Sequence, residues 1–153
     1  MKKNLYTVDD VAKMTGLTSR TIHNYIRDGK LQGKKVGVQW RFTEENIDEL
    51  FKDKKVENDV MDSRNTIVLE FLEKKDRHIP EICSVIDYPA QERNLADTLC
   101  KKLLDFVNTF QENEAPKFSY QYIEKQRVAR FIVIGEIQQV NELIKLVNTK
   151  EET

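Results

Sequence analysis

The chain has little cysteine and histidine and lacks long apolar runs, since its 153 residues include two Cys and two His. Cys83 and Cys100 are too few for a disulfide framework and lack the spacing of a metal site, so we predict no metal and two buried thiols. No stretch approaches the roughly 20 apolar residues of a membrane span, and the N-terminus lacks the apolar core of a secretory signal. These absences predict a cytoplasmic protein.

Catalytic constellations are also missing from the sequence. The histidines are His23 and His78, no glycine motif suited to phosphate binding is present, and no pair of acids stands out from the surface background. We therefore expect no enzymatic activity, no catalytic residues and no cofactor.

The charge is distributed unevenly along the chain. Residues 1–55 contain 12 Lys and Arg against 8 Asp and Glu, whereas the remaining residues contain 13 against 18. Up to Phe42, nine basic residues stand against three acidic ones. A basic segment joined to an acidic one is typical of proteins in which only the basic part contacts nucleic acid.

Helix-start signals occur twice near the N-terminus. Thr7, followed three residues later by an acid, forms a capping-box pattern that predicts a helix from Val8. Gly16 permits a sharp turn, and Thr18 is suited to cap a second helix that ends at about Asp28. Two short helices joined by a glycine turn are therefore predicted.

The second predicted helix has two chemically different faces. At 100° per residue, Ile22, Tyr25 and Ile26 lie on one arc. The opposite arc holds Arg20, His23, Asn24 and Arg27. Since Arg can form paired hydrogen bonds with guanine and Asn with adenine, this arc is suited to read base edges in the major groove of DNA.

A short hairpin is predicted between Lys30 and Phe42, because β-forming residues flank Gly37. Four polar residues of this hairpin are expected to lie along phosphates, namely Lys34, Lys35, Gln39 and Arg41. Trp40 is expected to pack its ring against the helices, and Thr43 to start a third helix that closes the small core.

The order of these residues resembles the excisionase-like helix-turn-helix domains within the MerR-type winged-helix group. The resemblance is carried by residues 5–12, 15–22, 25–31 and 36–42. It implies that the major groove is faced by Ser19, Arg20, Thr21, His23, Asn24 and Arg27 and, as the helix cap, by Thr18, while the wing contacts the DNA backbone. The chain departs from MerR-type sensors because no heptad helix is evident after the winged domain and no cysteine cluster follows it.

The second half predicts an α+β domain, so the expected organisation is a winged helix-turn-helix at residues 1–52, a charged linker at 53–65 and the second domain at 66–150. The expected elements are a strand Thr66–Leu72, a helical turn Pro80–Ile86, a helix Ala90–Gln111, a strand with Phe118, Tyr120 and Tyr122, a strand Val128–Ile134 and a helix from Ile137 to Val147. This β-α-β-β-α order predicts a truncated ferredoxin-like sheet with helices on one face and the first strand beside the third.

Three classes of function fit these features. The leading one is a sequence-specific transcriptional regulator that binds double-stranded DNA, with a homodimer formed through the second domain by pairing of the exposed edge Thr66–Leu72 or by packing of the open face of the sheet. The alternative to a dimer is that the linker or the segment Arg77–Tyr88 covers this edge within one chain. The alternatives are an excisionase-like recombination directionality factor or architectural DNA-binding protein, and an interaction module whose winged domain binds protein. A small-molecule or protein effector of the second domain is left open, as is a stacking platform of its alternating aromatics, for which sheet packing is the simpler interpretation.

Overall fold

The computed structural model describes residues 5–148, which divide into two compact units after Ile67. The first unit and the helix that crosses this boundary contain α1 Val8–Thr15, α2 Ser19–Arg27, β1 Lys34–Val36, β2 Gln39–Arg41, α3 Glu44–Phe51 and α4 Lys54–Glu73. Among the described residues, no helix combines the length and apolarity that crossing a bilayer requires.

The predicted helix caps are present in the first unit. The Thr7 hydroxyl accepts a hydrogen bond from the Asp10 amide at 3.0 Å, and the Asp10 carboxylate accepts one from the Thr7 amide at 3.0 Å. Gly16 ends α1 with a φ of 76°, a left-handed conformation that favours glycine. Thr43 caps α3 with the same reciprocal pair of hydrogen bonds, whereas Thr18 caps α2 through a single hydrogen bond that its hydroxyl accepts from the Thr21 amide. Local chemistry therefore sets the boundaries of these three helices.

The segment before α1 and the end of the hairpin meet in the core of the first unit. Tyr6 and Phe42 exchange two backbone hydrogen bonds of 2.8 Å, and both side chains are buried. Val11, Ile22 and Leu50 are fully buried in the same unit. The hairpin is thus anchored at its base, where Phe42 enters the core.

The predicted linker 53–65 is wrong, because these residues begin the 20-residue helix α4. The Asp53 carboxylate accepts hydrogen bonds from the Lys55 and Val56 amides, which starts the helix. Val56 and Val60, one turn apart, are 0% and 3% exposed. Two valines among many charges give too weak a period to predict this helix from the sequence.

The predicted strand Thr66–Leu72 is also wrong, since these residues form the C-terminal part of α4. A short apolar run fits a buried strand or a buried helix equally well, and here the preceding helix continues through it. The predicted helical turn Pro80–Ile86 is also wrong, because all of its residues after Pro80 belong to a strand, β3. A dimer built on the edge of Thr66–Leu72 therefore loses its structural basis.

The second unit has the predicted β-α-β-β-α order, with its first strand displaced along the sequence. Its elements are β3 Glu81–Pro89, α5 Arg93–Val107, β4 Lys117–Ile123, β5 Val128–Glu136 and α6 Ile137–Asn148. The strand order is β3-β5-β4 and both pairings are antiparallel, so the first strand lies beside the third as predicted. The predicted end of this domain at residue 150 lies outside the described residues.

Aromatic residues of β4 and β5 pack in the core of the second unit. Phe131 on β5 packs against Phe118 and Tyr120 on β4, with ring centroids 5.9 and 5.1 Å apart. The Tyr120 hydroxyl donates to a carboxylate oxygen of Asp97 on α5 at 2.9 Å, and burial raises the pKa of Tyr120. These rings are therefore sheet packing. Of the cysteines predicted to be buried, Cys100 is buried and Cys83 is half-buried on β3.

Candidate nucleic-acid interface

The two faces of α2 differ as predicted. Ile22 and Tyr25 are 0% and 5% exposed and face the core of the first unit. The opposite face carries residues predicted to contact DNA. Of these, Arg20, His23 and Arg27 are exposed, whereas Thr21 and Asn24 are half-buried. The helix therefore presents two guanidinium groups and an imidazole to its surroundings.

Several hydrogen bonds hold α2 in place. The Thr18 hydroxyl accepts from the Thr21 amide at 3.2 Å, and the Ser19 hydroxyl donates to the Asp9 carboxylate at 3.1 Å. Thr18, Ser19 and Thr21 were grouped with the DNA-contacting residues, and the structure shows that their hydroxyls also take part in bonds within the unit, since those of Thr18 and Thr21 lie 3.0 Å apart. These residues can orient the start of the helix whatever else they contact.

A second anchor fixes the far end of α2. The Tyr25 hydroxyl donates to the Asp59 carboxylate of α4 at 2.7 Å, and burial together with this carboxylate raises the pKa of Tyr25. Because the segment around Asp59 was expected to be a linker, this contact was not predicted from the sequence. Only the buried valines of α4 could have indicated that the segment packs against the helix-turn-helix.

The exposed arginines of α2 have few partners in the protein. Arg20 has no acidic partner among residues 5–148, and its side chain is exposed. Arg27 lies 3.5 Å from the Asp28 carboxylate, and the two side chains are 72% and 52% exposed. An exposed pair of this kind is weak. Both guanidinium groups are thus available to an external acceptor.

The hairpin has two faces, which were not distinguished when all four of its polar residues were predicted to lie along phosphates. Lys34 pairs with Arg41 and Lys35 pairs with Trp40 across the strands. Because neighbouring side chains of a strand point to opposite faces, Lys34 and Lys35 lie on different sides. Trp40 stacks on Phe42 with ring planes 9° apart, and the Lys35 ammonium lies over the Trp40 ring at 5.9 Å. Lys35 therefore lies on the face of the hairpin that carries the Trp40 and Phe42 rings, of which Phe42 is buried in the core.

The Lys34 side of the hairpin concentrates positive charge. Lys34 and Arg41 are cross-strand neighbours, and like charges in this arrangement repel. The Arg41 guanidinium donates to the Gln39 side chain at 2.7 Å and to the Trp40 carbonyl at 2.9 Å, which holds it in one orientation. We call the Lys34, Gln39 and Arg41 side the basic face of the hairpin. A bound anion would relieve its repulsion.

Two glycines shape the hairpin. Gly37 has a φ of 65° and forms the predicted turn. Gly33 was not predicted to matter, yet a Cβ atom there would lie 2.4 Å from the Phe42 ring. The chain can therefore pass over Phe42 only because residue 33 has no side chain.

The segment that contains both surfaces matches a known family. Residues 5–55 match the family model described as "Helix-turn-helix domain". These residues form an excisionase-like helix-turn-helix segment. Neither a curated protein nor a solved structure matches the chain.

The helix-turn-helix match supports DNA as the partner of residues 5–55. It covers α1, α2, the hairpin and α3, together with the first residues of α4. The remainder of α4 and the whole β-α-β-β-α unit lie outside it.

Proposed function

We propose that the protein is a cytoplasmic, sequence-specific transcriptional regulator that binds double-stranded DNA and has no enzymatic step. The observation that supports this most is α2, a helix buried on one side and lined on the other by Arg20, His23 and Arg27. The major groove of DNA admits one α-helix, and arginine recognises guanine there through two hydrogen bonds.

The helix and the hairpin take different parts in this proposal. The exposed face of α2 reads base edges, with Asn24 beside its arginines. The basic face of the hairpin, formed by Lys34, Gln39 and Arg41, lies along the phosphates as a wing. Contacts to phosphates set position and general affinity, whereas contacts to base edges set sequence preference.

An excisionase-like recombination directionality factor, or an architectural DNA-binding protein, is the second candidate, since the family match covers the first unit alone. The second unit favours regulation, because a three-stranded sheet with its own aromatic core is more than DNA bending requires. Genome-wide occupancy in cells separates the two, since a regulator occupies scattered promoters and a directionality factor occupies an attachment site.

The proposed regulator is a homodimer through the second unit. One small helix-turn-helix makes few DNA contacts, and a second copy held nearby raises the effective concentration of the next contact.

The second unit also has a groove of about 580 Å³ lined in part by Phe71, Phe110 and Ile134, which is room for a small-molecule effector.

The proposed function is tested with the full chain and fluorescent duplexes of random sequence. We expect anisotropy to show binding at low salt that weakens steeply as salt rises, with a log-log slope of about −0.9 for each phosphate neutralised. Selection from a random library should then yield a preferred sequence whose footprint reports the half-site spacing.

The matched control replaces an exposed lysine of the second unit, Lys125→Ala, which should leave the salt slope unchanged. Binding that does not depend on salt, or the absence of any preferred sequence after selection, would contradict sequence-specific recognition by this unit.

A further inference from the structure

Strand β3 lies at an edge of its sheet, because the strand order is β3-β5-β4. All nine of its residues, from Glu81 to Pro89, pair with β5 on one side. Its other side has no strand partner among residues 5–148. An edge of this kind presents a row of backbone N–H and C=O groups over about 30 Å.

The usual protections of an edge strand are missing from β3. Its register runs without a bulge, and its proline, Pro89, is its last residue. The five residues Ile82–Ile86 carry no charge, and Val85 at the middle of the strand is 59% exposed. Edges that must stay free are normally blocked by lysine, proline or a bulge. β3 therefore has the features of a strand that pairs.

The two charges within β3 are already neutralised in the protein. Glu81 lies 2.7 Å from the Lys74 ammonium, and the Arg130 guanidinium donates to both oxygens of Asp87 at 2.8 and 3.0 Å. These contacts hold the pKa of Glu81 and of Asp87 below their usual values. Each carboxylate thus has a cationic partner, and neither adds an unpaired charge to the edge.

The topology also leaves a position for one more strand. A complete ferredoxin-like unit has the order β-α-β-β-α-β, and its last strand lies antiparallel beside the first. The present unit has the first five of these elements, and β3 is the first strand. An antiparallel strand added to β3 would thus complete a known sheet.

We propose that β3 pairs antiparallel with β3 of a second copy, with Val85 on the two-fold axis, so that two three-stranded sheets become one of six strands. A second copy fits because the strand is compatible with its own reversal. In this register Val85 faces Val85, Asp87 faces Cys83, and Glu81 faces Pro89. No charged residue lies directly opposite a like charge.

The acids near the ends of the paired strands have cationic partners within their own copy. At each end, Glu81 of one copy comes diagonally beside Asp87 of the other, and the repulsion between them is reduced because Glu81 is paired with Lys74 and Asp87 with Arg130. The centre is apolar, since β-branched pairs such as Val85 with Val85 favour cross-strand packing. This inference specifies the dimer of the proposed function and is independent of DNA binding.

Sedimentation of the full chain at micromolar concentration tests the interface. We expect a dimer for the wild type, and Val85→Lys should raise its dissociation constant roughly a hundredfold, because two ammonium groups would meet at the axis. The matched control is Leu95→Lys on α5, where the leucine is 54% exposed. A wild-type monomer, or a dimer that Leu95→Lys breaks and Val85→Lys leaves intact, overturns the pairing.

Disulfide formation tests the register. In a Val85→Cys chain the two new thiols would face each other with Cβ atoms about 5 Å apart, and we expect an intermolecular disulfide under oxidising conditions. The wild-type chain is the control, because Cys83 of the two copies would be about 13 Å apart along the strands. Dissociation by Val85→Lys without crosslinking of Val85→Cys overturns the register.

Low-salt binding to random DNA separates this inference from the proposed function. A monomeric Val85→Lys chain should still bind such DNA, with the loss confined to paired half-sites. If wild type and variant both fail to bind DNA while the crosslink forms, the proposed function fails and the interface stands.

Discussion

The exposed charges of α2 and the hairpin differ from those of the three-stranded sheet, although other cations of the first unit do have acidic partners, as Lys30 has in Asp53 at 3.6 Å and Lys52 in Glu49 at 2.8 Å. On the second unit, cations of the sheet and its surroundings have acidic partners: Arg130 with Asp87 at 2.8 Å, Lys74 with Glu81 at 2.7 Å, and Lys117 with Glu70 at 3.6 Å. On the first unit, Arg20 and Lys34 have no acidic partner among residues 5–148. Charges left without a partner on a folded surface are those that can be neutralised by a ligand, and phosphates supply that neutralisation in DNA.

The two sheets differ in the same sense. All three residues of β1 are exposed. The hairpin reaches the core at its base, through Phe42. In β5, by contrast, four consecutive residues, Phe131–Ile134, are buried. Substitutions in the hairpin should therefore change binding more than stability, and substitutions in the three-stranded sheet should do the reverse.

The largest effect expected from this difference is on stability. Phe131→Ala removes a fully buried ring that contacts Phe118 and Tyr120, and should cost about 3–5 kcal/mol of unfolding free energy. The hairpin control is Val38→Ala, which should cost under about 0.5 kcal/mol because Val38 is 88% exposed. Chemical denaturation measures both, and similar losses would show that the hairpin also supports the fold.

The first unit was predictable because its signals are local. The starts of three helices are indicated by their N-cap residues, Thr7, Thr18 and Thr43, and the turn of the hairpin is indicated by Gly37. Each of these features depends on chemistry within a few residues, so no knowledge of the tertiary structure was needed. The exposed face of α2 follows from the same helical period.

The segment from 53 to 89 was not predictable because its structure depends on distant partners. The helix at Val56 and Val60 is stabilised by packing of these two side chains into the core of the first unit. The residues next to them in the sequence give no sign of that core. Strand β3 lacks the regular alternation of apolar and polar residues that would have predicted a half-buried strand, and its pairing with β5 involves the distant residues Val128–Glu136. The close approach of Gly33 to Phe42 likewise exists only in the folded chain.

The next largest effect concerns recognition by α2. On the sequence obtained by selection, Arg20→Ala or Arg27→Ala should each weaken binding by about 1–3 kcal/mol and blur the preference, since each removes contacts to base edges. Competition assays with selected and random duplexes measure both quantities. Lys125→Ala in the second unit is the control. An equal loss on selected and random DNA would mean that these arginines contact phosphates only.

The smallest effect distinguishes the two faces of the hairpin. Lys34 lies on the basic face opposite Arg41, whereas Lys35 lies over the Trp40 ring on the other side. Lys34→Ala should weaken binding to all sequences about equally and reduce the magnitude of the salt slope by about 1, because one phosphate contact is lost. Lys35→Ala should change the slope less, which makes two adjacent lysines a matched pair for anisotropy titrations at several salt concentrations.

The same titrations decide which side of the hairpin meets the DNA. If Lys35→Ala alters the slope more than Lys34→Ala, the phosphates lie on the Trp40 side and the basic face points away from them. The repulsion between Lys34 and Arg41 would then be relieved by solvent and salt alone, and its removal in Lys34→Ala should stabilise the hairpin without any change in affinity.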